Sequence, residues 1–132
     1  MILSFSKKWP WNNEPTHFKK KIKNGTKIHS IRVDQHERWR EGMDIHFATG
    51  MRTPNYDNFQ MGKCTGVQHI EVINRESLSG PEQMIRVDGF NLSIELAEEL
   101  AINDGFDSLE QFFKWFDSDF EGRLIHWTDE RY

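Results

Sequence analysis

The sequence predicts an α+β fold, a small mixed β-barrel with flanking helices, as one domain over residues 1–132. Three observations carry that expectation. The readable elements run strand, helix, several strands, two helices, strand. Most strands are joined by connections too short or too irregular for parallel crossovers, which argues against a doubly wound sheet. The 132 residues, 36% hydrophobic and 29% charged, suit a globular chain with a single core.

Taken in order, Ile2–Phe5 reads as a first strand. Trp9–Pro15 carries two prolines and two asparagines and is a loop. Thr16 is placed to cap a short helix, His17–Lys23, with Phe18 and Ile22 on one stripe. Asn24-Gly25 ends it, the glycine suiting a positive φ. Ile28–Val33 has the β-branched content of a strand. Asp34–Glu41 is a polar connection carrying Trp39, and after Gly42 the alternation across Met43–Ala48 marks a half-buried strand. Thr49–Gly62, rich in Asn, Asp and Gly, reads as a long loop and a candidate lid. Cys64–Asn74 is the strongest strand, Ser77–Gln83 a turn centred on Gly80-Pro81, and Met84 to about Phe90 another strand. Ser93 caps a helix ending near Asp104-Gly105, and Ser108 caps a second from Leu109 to about Asp117. Gly122 turns into a last strand, Leu124–Trp127.

Composition narrows the function classes. No apolar run approaches the roughly 18 residues that span a bilayer, so no membrane role is expected. The start of the chain reads as no secretory leader, and with Cys64 as the single cysteine a cytoplasmic setting is expected. Six scattered histidines and one cysteine show no ligand spacing, so neither metal nor cofactor is expected. The net charge of −4 conceals an asymmetry: residues 1–66 hold 12 Lys and Arg against 6 Asp and Glu, and residues 67–132 hold 5 against 15. A basic face can steer a polyanion whatever the total charge. Trp9, Trp11 and Trp39 lie in the basic half, where exposed rings would serve base stacking.

The densest chemistry lies in Gly25–Arg32, where Lys27, Ser30 and Arg32 fall within six positions after a glycine turn. Such a cluster can grip an anion, a carbonyl or a base edge. It can equally be the polar face of an edge strand, its charges guarding against aggregation. Strict alternation places Ser30 and Arg32 on one face and Lys27 on the other. The three converge only if Lys27 lies on the turn, or if the strand bulges near His29.

Gly25, Lys27, Ser30 and Arg32 resemble the Gly-x-Lys-x-x-Thr-x-Arg pattern of the ASCH family, a branch of the PUA-like β-barrels. Arg38-Trp39 and Gly42 follow at family-like spacing, and Asp104-Gly105-Phe106 with Leu109, Phe112 and Phe113 is similar to the family's C-terminal helical segment. The resemblance runs over Ile2–Trp127 and implies a PUA-like barrel with a pocket for RNA or a nucleoside. One subset of the family cleaves the amide of N(4)-acetylcytidine with a Lys and a Thr of this motif and a Glu from a later strand. Carried over, those roles fall on Lys27, Ser30 and Glu71, with Ser30 standing where the Thr would be.

Three readings follow. The first is an RNA- or modified-nucleoside-binding domain with Arg32, Trp9, Trp11, Trp39, His29 and His69 contacting the ligand. The second is an amidohydrolase in which Lys27, Ser30 and Glu71 act on an acylated cytidine. The third is a protein-interaction module presenting the acidic helices Ser93–Asp104 and Ser108–Asp117.

Overall fold

A computed structural model describes residues Met1–Tyr132. The elements in chain order are β1 (Ile2–Phe5), α1 (Phe18–Lys23), β2 (His29–Arg32), β3 (Asp44–Thr49), β4 (Asp57–Lys63), β5 (Gly66–Ser77), β6 (Gly80–Val87), β7 (Phe90–Asn91), α2 (Ile94–Asn103), α3 (Leu109–Trp115) and β8 (Phe120–His126). The fold is α+β with mixed sheets. No helix is long and apolar enough to cross a membrane.

The hydrogen-bond ladders form two sheets rather than a closed barrel. One has the order β1-β3-β4, with β1 parallel to β3 and β3 antiparallel to β4. The other has the order β2-β8-β5-β6-β7 and is antiparallel throughout. Alternation aims Ile45 and Phe47 of β3, Ile70 and Val72 of β5, and Leu124 of β8 into one continuous core. α1 contributes Phe18 and Ile22 to that core, and α2 contributes Ala97, Leu100 and Ala101. The edges β1 and β2 are left without a ladder between them, and a side chain bridges the gap: Arg32 Nη2 donates to Ser4 O at 2.8 Å.

Several expected boundaries move for physical reasons. The segment read as a 49–62 loop contains β4, whose polar composition hides an edge strand paired along β3. Phe59 forms a bulge opposite Phe47 and Ala48, which breaks the alternation by which a strand is recognised. Only residues 50–56 remain as a loop. The Ser77–Gln83 turn contracts to Leu78-Ser79, with Ser77 paired to Gly80 and Pro81 tolerated near the hairpin end. Asp88-Gly89, both at positive φ, separates β7 from β6. Gly122 lies inside β8 opposite Ile70, rather than at a turn before it. Thr16 sits one residue ahead of the α1 cap position, which His17 occupies in the left-handed region; its hydroxyl still accepts from Phe18 N at 3.3 Å.

Both helix N-caps expected at serine are present: Ser93 accepts from Leu96 N at 3.2 Å and Ser108 from Gln111 N at 3.0 Å. The C-terminus of α2 closes as a Schellman motif. Gly105 N donates to Ile102 O at 2.9 Å, and Phe106 N donates to Ala101 O at 3.0 Å. Gly105 has φ +99, and a Cβ there would stand 2.9 Å from the Phe18 ring and 3.0 Å from Lys27 Cδ. Gly25 has φ +81 with open space around it. Gly105→Ala is therefore expected to cost about 2–4 kcal/mol, strain and overpacking together, and Gly25→Ala only about 1 kcal/mol of backbone strain. Urea unfolding midpoints of the two variants check the difference.

Candidate functional site

Lys27 lies outside β2, in the link between the α1 stop and the strand. The link is pinned from both sides: Lys27 N donates to Lys21 O at 3.0 Å, and Ile28 N donates to Asn103 O at 2.8 Å. Alternation has not begun at this point. Lys27, Ser30 and Arg32 accordingly line one cavity of about 260 Å³, together with Ser4, Phe5 and Ser6 on the β1 side. The cavity occupies the seam between the unpaired edges of β1 and β2. Asp104 also lines it, and the rest of the wall is apolar, mostly the aromatic rings of Phe18, Phe106, Trp115, Phe116 and Phe120.

The Lys27 side chain is buried. Its ammonium donates to His29 O at 2.8 Å and to Asp104 O, and lies 3.4 Å from Asp104 Oδ1. The Phe18 and Phe5 ring centroids are 5.0 and 5.5 Å away, so π faces cover the charge where no oxygen does. Asp104 is the C-cap of α2, so the cation also meets the negative end of the helix dipole. Burial pushes the Lys27 pKa down to about 8; Asp104 opposes the shift, and Arg32 adds to it.

Asp104 is fixed in turn by His29. Nδ1 of His29 is 2.9 Å from Asp104 Oδ1, and Nε2 is 2.7 Å from the Tyr132 hydroxyl. Burial lowers the His29 pKa and favours the neutral ring. A carboxylate can only accept, so Nδ1–H donates to Asp104 and Nε2 accepts the Tyr132 O–H. Asn103 Nδ2 donates to the same hydroxyl at 2.9 Å, completing the chain.

Arg32 differs from Lys27. Its Nε donates to Ser30 Oγ at 3.1 Å, its Nη2 to Ser4 O at 2.8 Å, and its guanidinium stands 5.1 Å from the Phe5 ring centroid. Burial lowers its pKa, and Asp104 opposes. It is in no ion pair, and two hydrogen bonds leave donors unspent. Ser30 Oγ accepts from Arg32, which leaves its own proton available. The donor set is cationic and rich in N–H, and the single lining carboxylate already serves Lys27 and His29. This chemistry suits a ligand with acceptor atoms or negative charge, and not a metal ion.

The other sequence-derived candidates lie elsewhere. Glu71 does not line the cavity. Alternation along β5 turns Ile70 and Val72 inward and Glu71 away, with its carboxylate 3.7 Å from Arg86 and 3.8 Å from His69. His69 is on the same outer surface, 2.7 Å from Glu121. Trp9 and Trp39 are buried in the core and present no stacking face. Trp11 is half-buried, stacked on Trp9 at 5.3 Å with Lys114 Nζ 4.9 Å from its ring, and does not line the cavity. His29 lies behind Asp104 as its support. The residues missed by sequence reasoning are Asp104 and the aromatic lining. Asp104 carried a local signal, the Asp-Gly-Phe helix stop, but its pairing with Lys27 is made across 77 positions.

No protein-family model, characterised protein or solved structure matches the chain.

Behind the site, His126 is buried with Nε2 2.9 Å from Gln68 Oε1, and its ring packs edge-on to His29 at 5.4 Å. Burial, with His29 and Arg131 adding, lowers the His126 pKa from 6.5 to about 3. An unfolded chain takes up a proton there that the folded chain refuses, so stability is full above the unfolded value and lost as pH falls toward about 3. Urea midpoints are expected to decline progressively as pH falls below about 7, and His126→Gln to flatten that decline.

Proposed function

We propose that the chain binds single-stranded RNA or a modified nucleoside, with one base held in the Lys27–Ser30–Arg32–Asp104 cavity. The observation that carries this reading is the pairing of aromatic walls with an arginine that has spare donors and no carboxylate. A nucleobase offers matching features, π faces for the walls and an acceptor edge for Arg32 and the Ser30 hydroxyl. The same site supports reading the fold as a PUA-like barrel of the ASCH type. The Gly25–Arg32 motif meets the Asp104-Gly105-Phe106 segment in space, and the open seam between the two sheets is where such a pocket would sit.

Amide hydrolysis is the second reading. It is favoured by the convergence of Lys27, Ser30 and a carboxylate in one cavity, with Asp104 in the role first assigned to Glu71. Binding is the stronger reading because the Lys27 ammonium is engaged by His29 O and Asp104, and makes no hydrogen bond to Ser30. A serine without a base in reach is a weak nucleophile.

Trp115 lines the cavity and supplies a fluorescence probe. Cytidine and N(4)-acetylcytidine are expected to change tryptophan emission on binding, and Arg32→Ala to weaken affinity by about tenfold or more. Equal affinity in wild type and Arg32→Ala sinks the reading. Release of acetate from N(4)-acetylcytidine, lost in Ser30→Ala, would move the conclusion to hydrolysis. Lys27 adds to the positive field of the cavity while protonated, so affinity is expected to fall as pH rises past about 8. Titrations of cytidine, whose base stays neutral there, check this.

A further inference from the structure

The cavity has a neighbour. A second, more open groove of about 410 Å³ shares the wall Ser4, Phe5 and Ser6 and continues along Lys7, Lys8, Gly50 and Met51. The end of β1 is thus a common lip, with the aromatic cavity on one side and a basic groove on the other. Lys7 and Lys8 are exposed and in no ion pair. Asp57, an acid within reach of this region, is bonded by Lys19 at 2.7 Å and also lies in the fields of Lys23 and Lys7. One acid therefore faces three lysines, and the positive excess runs from the groove toward α1.

Resting on the base-binding reading above, we infer that this groove holds the phosphodiester backbone attached to the base in the cavity. The ligand is then a single-stranded oligonucleotide rather than a free nucleoside. A base and its phosphate are separated by one sugar, and two compartments sharing a three-residue lip match that arrangement. The division of chemistry matches as well. The cavity offers ring faces and directional donors, which read a base, whereas the groove offers flexible ammonium groups in water, which hold a phosphate as a point charge. The excess lysines along α1 lie where neighbouring phosphates of a longer strand would run.

The test compares cytidine, cytidine 3′- and 5′-monophosphates and a short single-stranded oligocytidylate on the full chain and on a Lys7→Gln/Lys8→Gln variant. The cytidine arm also reports that the variant is folded. In wild type at least one monophosphate and the oligonucleotide are expected to bind about tenfold or more tighter than cytidine, and the variant to keep cytidine affinity while losing that gain. The slope of log affinity against log salt for the oligonucleotide is expected to fall by about 1.4 in magnitude, for two lost phosphate contacts. Equal binding of cytidine and both monophosphates in wild type, or an unchanged slope in the variant, overturns the groove and leaves the base cavity standing. Failure of all four ligands to bind overturns both.

Discussion

The structure depends on how one buried ammonium is satisfied. Removing a lysine charge from water costs several kcal/mol unless partners replace the solvent. At Lys27 the replacement comes from two carbonyls, one carboxylate, a helix C-terminus and two ring faces. None of these partners is adjacent in sequence except His29, so the charge ties the α1–β2 link to the far end of α2. That tie sets where β2 begins, and with it which of its residues face the cavity. Because the ammonium spends its donors on the protein, ligand contact falls to Ser30 and Arg32. Lys27 acts as a fixed positive charge and a clamp.

The unclosed seam is the second constraint. Strand edges left without partners invite pairing with other chains. Here the β1 and β2 edges flank a cavity lined by aromatic side chains and are bridged by Arg32. A continuous ladder across the seam would satisfy more backbone groups and would also eliminate the cavity. The site is thus a place where pairing is given up for space, and the space is lined with groups that a planar polar ligand can satisfy.

Much of the fold was legible because it rests on local signals. Serine caps at Ser93 and Ser108, the Asn24-Gly25 stop and the apolar periodicity of β3 and β5 are each contained within a few residues. What escaped was non-local or disguised. β4 has the composition of a loop because it is a bulged edge strand with solvent along much of its length. In the site, the Lys27, Ser30 and Arg32 cluster is visible as a motif, although a regular strand would turn Lys27 away from the other two. Lys27 joins them because hydrogen bonds to Lys21 and Asn103 hold its link outside the strand. Glu71 is an acid inside an apolar strand, and the same period-two rule that identifies the strand places it on the opposite face. The tryptophans illustrate the opposite error, since their large apolar area drew Trp9 and Trp39 into the core.

The charge asymmetry of the chain acquires a local meaning at this site. Lys27 and Arg32 come from the basic half and Asp104 from the acidic half, and all three meet in the cavity. Asp104 is divided between Lys27 and His29, which leaves the Arg32 guanidinium without an anion of its own. In a purely structural arrangement each charge would be matched by its own partner, as in the Lys19–Asp57 and Arg123–Glu37 pairs at the surface. The remaining positive charge sits where water is restricted and the field is strongest. Its burial costs free energy in the empty protein, and a ligand carrying acceptors or negative charge offsets that cost. Arg32 therefore sets the sign of the ligand, and the aromatic walls set its shape.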